Sequence, residues 1–97
     1  MVSSLISSIT GTLEDVGPDW TDISVGGITF RVSVPASGIE HLGQIGDSVR
    51  LYASLQVRED SLTLFGFQTE EARSAFEALI GISGVGPRLA LSVLSRF

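Results

Sequence analysis

The 97-residue sequence predicts a mainly β fold with added helices: a five-stranded Greek-key barrel followed by a helix-hairpin-helix. Three observations carry this expectation. Short runs of alternating apolar and polar residues fill the first two thirds of the chain. Clusters of Gly, Pro and Asp punctuate them, and from Thr69 onward the apolar period lengthens from two residues to that of a helix.

Residues 5–13 mix β-branched and polar side chains around Gly11, which suits a long, bent barrel strand. EDVGPD, residues 14–19, reads as a turn. Ile23 and Val25 then alternate with polar neighbours, as do Ile28, Phe30, Val32 and Val34. Gly26 and Gly27 separate these runs, and a two-residue primed turn needs positive φ, so the pair predicts a tight hairpin ended by Pro35. Between residues 35 and 47 the chain holds about one helical turn, residues 38–42, with Gly-rich flanks. A second hairpin follows: Val49, Leu51, Ala53, Leu55 and Val57 share one face, Arg58, Glu59, Asp60 and Ser61 turn the chain, and residues 62–67 return. Five strands with a short helix between the third and fourth is the element order of an OB-fold.

Thr69 is positioned as an N-cap, with Glu70 and Glu71 in the first turn where the helix dipole favours carboxylates. Ala72, Ala75, Phe76, Leu79 and Ile80 follow helical spacing, and Gly81 is placed to end the helix. GISGVG makes a tight connection. Pro87 occupies the first position of a second helix, on which Ala90, Val93, Leu94 and Phe97 share one face. The expected division is a barrel over residues 1–67 and the start of a helical domain over 68–97.

Charge narrows the function. All six basic residues are arginine, against eleven acidic ones, for a net charge of −5. Residues 1–68 carry all of that imbalance, whereas residues 69–97 are neutral, so an anion-binding surface is expected towards the C-terminal end. Without cysteine, and with a single histidine, His41, the chain offers neither a disulfide nor a thiolate or histidine metal centre. No signal peptide or stretch of about 20 apolar residues is visible, and a soluble cytoplasmic protein with no membrane partner is the expectation. No nucleophile and base pair and no phosphate-binding loop for ATP is recognisable. Neither catalysis nor a cofactor is expected.

The residues of greatest interest are Gly84, Val85, Gly86, Pro87 and Arg88. Glycines there can take backbone conformations closed to other residues and let another molecule approach the main chain. The amides that follow open a helix, where several N–H groups lack an intrahelical partner and the dipole is positive, an arrangement suited to a phosphate. Arg88 could add a charge-assisted contact. The plainer alternative is that the glycines only permit a sharp turn, with Val85 plugging a small core.

Three blocks of the sequence, VGGITFRVSVP (residues 25–35), VREDSLTLFGF (57–67) and LIGISGVGPRLALSVLS (79–95), resemble the bacterial Holliday-junction branch-migration family RuvA, in the family's order. The resemblance implies an OB-fold domain used for homotetramer assembly, then a domain with two helix-hairpin-helix motifs, then a linked domain that contacts the RuvB ATPase. It also implies a non-ATPase subunit acting in recombination and repair in the bacterial cytoplasm, with a DNA four-way junction, RuvB and the RuvC resolvase as partners. The chain reaches only the first of the two motifs, which suggests a fragment or a truncated product. By the same resemblance, Glu59 and Asp60 match an acidic pin that repels phosphates at the junction crossover; without it, the turn reads as a solvated hairpin tip. There are two departures. About four residues precede the family's usual start, which resembles MIGRLRGTL and aligns with LISSITGTL (5–13); and lysine is absent, with Arg88 where relatives often carry lysine.

Two rival readings remain open at this level. Trp20, Phe30, Tyr52, Phe65 and Phe67 could form a base-stacking set on a single-strand-binding OB-fold, although such residues in a small barrel more often pack a core or an interface. Alternatively, the helical hairpin could dock a partner protein. His41 has no partner motif and is expected to be exposed.

Overall fold

Alternation along the strands is what closes the barrel. In the computed structural model, which describes residues 5–96, the elements are β1 (Ser8–Val16), β2 (Trp20–Val25), β3 (Ile28–Ser33), a 3-10 helix (Ala36–His41), β4 (Ser48–Val57), β5 (Leu62–Phe67), α1 (Glu70–Ile80) and α2 (Pro87–Leu94). Residues 1–4, which precede the family's usual start, and Phe97, expected on one face with Ala90, Val93 and Leu94, lie outside the described residues. The strands close in the order β1-β2-β3-β5-β4. Only β3 and β5 pair in parallel, and β4 returns antiparallel to β1 with Ile9 opposite Leu51. This is the expected OB-fold barrel.

Every second residue faces inward, so Ile9, Leu13, Ile23, Val32, Leu51, Ala53 and Leu64 build the barrel core. Fully burying side chains of this size contributes about 1.5–3 kcal/mol each, which makes the barrel the main source of cohesion. Gly26 and Gly27 have φ of 56° and 91°, the positive values a primed two-residue turn demands, and Val25 pairs with Ile28 across them.

The first reversal differs from expectation. Residues 14–19 were expected to turn, yet β1 continues to Val16, pairing there with Thr21, and β2 begins already at Trp20. A bulge between Leu13 and Asp15 allows this, because an extra residue re-aims the strand without ending it. The Thr21 hydroxyl donates to the Asp15 carbonyl at 2.9 Å, and the Gly17 N–H to the Trp20 carbonyl at 2.8 Å. At its other end the strand begins at Ser8 rather than Leu5, whose side chain is exposed.

On the outer face of β2 and β3, Arg31 donates to both carboxylate oxygens of Asp22, at 2.9 and 3.0 Å, while its guanidinium lies 3.8 Å from the Trp20 ring centroid. The hydrogen bonds from Arg31 hold the Asp22 carboxyl below its ordinary value against the opposing effect of burial. The pair is solvent-screened and contributes little to stability.

A second core joins the helices to the barrel. Phe65 and Phe67 face outward from β5, opposite in sense to Leu64, and both pack on Phe76 of α1 with ring centroids 4.9 Å away. Ala90 and Leu91 of α2 complete this cluster. The expected helix faces are therefore shifted: Ala75 and Val93 are exposed, and Leu91 is buried in their stead. The helical period holds, and the direction of the buried stripe depends on where the two phenylalanines stand.

Polar ties fix the same orientation. The Ser54 hydroxyl donates to Glu77 at 3.0 Å, and the Arg73 guanidinium donates to the Ser7 carbonyl at 2.6 Å. Ser95 accepts from the Ala36 N–H at 3.1 Å and donates to the Leu91 carbonyl at 2.8 Å, anchoring the end of α2 to the 3-10 helix.

Candidate nucleic-acid interface

The turn between the helices is built from local chain chemistry. Thr69 caps α1 as expected, its hydroxyl accepting from the Ala72 N–H at 3.1 Å. Gly81 is the C-cap, but in a right-handed conformation with φ of −75°, so the left-handed residue lies further on. It is Gly84, with φ of 87°. Nothing lies within 4 Å of where a Cβ on Gly84 would stand, so the requirement is conformational and the site is open to an approaching molecule. Val85 is half-buried against the second core, and its N–H donates to the Ile82 carbonyl at 3.1 Å. Val85 thus plugs the core, as the plainer alternative has it, while Gly84 remains free above it.

Gly86 is the N-cap of α2 in ordinary extended conformation, φ −88° and ψ 170°. Only one of the two glycines therefore needs its conformational freedom. Gly86 offers no side-chain cap, and Pro87 supplies no N–H. The first intrahelical bond runs from the Ala90 N–H to the Gly86 carbonyl at 3.0 Å. The Arg88 and Leu89 amides accordingly open the helix without an intrahelical acceptor.

Glu59 and Asp60 stand exposed at the tip of the β4–β5 hairpin, which is closed by the Arg58 N–H donating to the Ser61 carbonyl at 2.8 Å. Among the described residues the ion pairs are Arg31 with Asp22 and Arg73 with Glu70, so neither tip carboxylate is neutralised by a pair. The apolar residues at the base of this hairpin, Val57 and Leu62, are 55% and 68% exposed.

The two hairpins meet. Arg58 Nη2 lies 3.9 Å from the position of a Cβ on Gly86. Arg58, Thr63, Pro87 and Arg88 line one cleft of about 140 Å³ between the β4–β5 tip and the start of α2. Sequence reasoning placed Arg58 only as the beginning of an acidic turn. Its contact with the helical hairpin depends on barrel closure and had no local signal beyond its charge.

A larger pocket of about 400 Å³, walled by apolar residues including Val34, Leu51, Phe67 and Leu94, lies between barrel and helices and contains none of the hairpin or acidic-turn residues. Of the aromatic set, Phe65 and Phe67 are buried, whereas Trp20, Phe30 and Tyr52 are half-buried. His41 is exposed, as expected.

A closed OB-type barrel whose last strand leads into a helical hairpin with an open glycine turn defines the class: an OB-fold protein with an appended helix-hairpin-helix. A family model described as the RuvA N terminal domain matches residues 5–66, nearly the extent of the barrel. Similar proteins named Holliday junction branch migration complex subunit RuvA occur in Dehalococcoides mccartyi (50% identical over 91 residues), Chloroflexus aggregans (47%) and Herpetosiphon aurantiacus (43%). The chain belongs to the RuvA family. In each comparison 94% of the chain is covered but only 46–47% of the relative, so the chain spans about half the length of the curated relatives it matches.

Proposed function

We propose that this chain is a non-catalytic DNA-binding unit that holds a four-way junction through its helical hairpin. The observation that carries the proposal is the open turn at Gly84, which leads into the uncapped amides of α2. Backbone donors give attraction locally and do not require a basic chain, which reconciles phosphate binding with a net charge of −5. The names of the relatives agree with this reading.

In the proposed arrangement the barrel of residues 1–67 serves assembly and carries the acidic turn, and residues 68–97 carry the hairpin that holds DNA. Four copies hold an open junction, with Gly84, Val85, Gly86, Pro87 and Arg88 on the phosphates and Glu59 and Asp60 repelling phosphates where strands part. Exposed Val57 and Leu62 supply apolar surface for an assembly to bury. The RuvB motor, the RuvC resolvase and a cytoplasmic role in bacterial recombination and repair complete the reading. Burial of Phe65 and Phe67 counts against the rival single-strand platform.

The test is an anisotropy titration of four-way junction, duplex and single strand at low salt. Preference for the junction is expected, and preference for single strands would sink the proposal. The pin has its own test. Replacing Glu59 by Gln and Asp60 by Asn together is expected to leave junction affinity unchanged or raise it severalfold, since repulsion between close charges is lost. In a complex reconstituted with the motor, the rate of branch migration should change. A clear fall in affinity would refute the pin.

A further inference from the structure

We infer that Arg58 is a phosphate ligand that shares one DNA backbone phosphate with Arg88, so that the barrel itself contributes to the hairpin site. This rests on the DNA-binding reading above and adds a residue from a different part of the fold.

Arg58 and Arg88 both line one small cleft, in which the Arg88 guanidinium lies 5.6 Å from the Phe65 ring centroid, and no acidic residue lines it with them. Among the described residues neither arginine takes part in an ion pair or donates a side-chain hydrogen bond, although Glu59 and Asp60 follow Arg58 directly in the chain. Both arginines are exposed and without a counter-ion among the described residues, so an anion in the cleft gains from two positive charges at once. The other polar lining includes the hydroxyl residues Ser61 and Thr63, which can donate hydrogen bonds. Arg58 Nη2 lies 3.9 Å from where a Cβ on Gly86 would stand, which places the guanidinium near the N-terminus of α2 and its first amides.

The geometry favours a phosphodiester. A guanidinium presents a planar fork matched to two phosphate oxygens, and two such residues on one cleft suit a single tetrahedral group. The consequence is a division of labour within three consecutive residues. Arg58 attracts a strand on the side of the β4–β5 turn that faces α2, and Glu59 and Asp60, next in the chain, repel it at the tip.

The experiment is a double-mutant cycle on this chain, Arg58→Gln, Arg88→Gln and both together, read by junction anisotropy across a salt series. Arg58→Gln is expected to lower affinity about tenfold, the effect of losing a charged hydrogen bond. It should also reduce the slope of log affinity against log salt by about one. Because both arginines hold one phosphate, the double variant should lose clearly less than the product of the single losses. Arg58→Lys, which keeps the charge, should retain most of the slope. An unchanged affinity in Arg58→Gln, or losses that simply multiply, would overturn the shared site and leave the hairpin reading standing. If the unsubstituted chain bound no junction at the lowest salt, both readings would fall together.

Discussion

Gly84→Asp is expected to weaken junction binding by at least about tenfold, roughly 1.4 kcal/mol, while leaving the barrel intact. Gly84 has φ of 87° and open space around it, so the substitution meets no steric clash. Two costs follow. The backbone must hold a left-handed conformation with a Cβ, about 1–2 kcal/mol and less for Asp than for most residues. A carboxylate then stands where a phosphate should approach the α2 amides, and the dipole that favoured the phosphate is already satisfied by it. Gly84→Ala separates the two costs, because it carries the Cβ without the charge. Its affinity should lie between those of the parent and Gly84→Asp. Equal binding by the parent and Gly84→Asp, measured by anisotropy, would refute the hairpin assignment.

Phe76→Ala should cost about 3–5 kcal/mol, the range for truncating a fully buried aromatic residue. Phe76 is 0% exposed and contacts both Phe65 and Phe67, which makes it the residue through which α1 and α2 hold to the barrel. A small domain has about 5–15 kcal/mol in total, so this is a large share. The barrel core of Ile9, Leu13, Ile23, Val32 and Leu51 is a separate cluster and should outlast the helices. In urea, the helical circular-dichroism signal should therefore fall before the fluorescence of Trp20, which stands on β2. A loss of less than about 1 kcal/mol would show that the second core does not hold the hairpin in place. Junction binding should weaken alongside, since the phosphate site depends on the placement of α2.

These expectations rest partly on local signals and partly on contacts no local signal reveals. The Gly26–Gly27 turn and the Thr69 cap were readable because each is set by the conformational limits of a few neighbouring residues. The open turn at Gly84 was readable for the same reason, although Gly86, expected to share its conformational freedom, proved to be ordinary extended backbone. The end of β1 was misread because Gly17 and Pro18 signal a turn strongly, while the bulge that carries the strand to Val16 leaves no comparable mark. Ala75 and Val93 fit the helical period of their apolar neighbours yet stand exposed. The period gives the width of an apolar stripe and leaves its bearing to the partner surface.

Residue order alone was enough for the barrel, the helical hairpin and the family resemblance, because strand alternation, positive-φ turns and helix caps act over a few residues. Folding was needed to bring Arg58 beside Gly86 and to turn Phe65 and Phe67 onto Phe76. Those pairs lie too far apart in sequence for any short-range period to join them. They meet because the closed barrel fixes which face of β5 points outward and which way the β4–β5 tip leans.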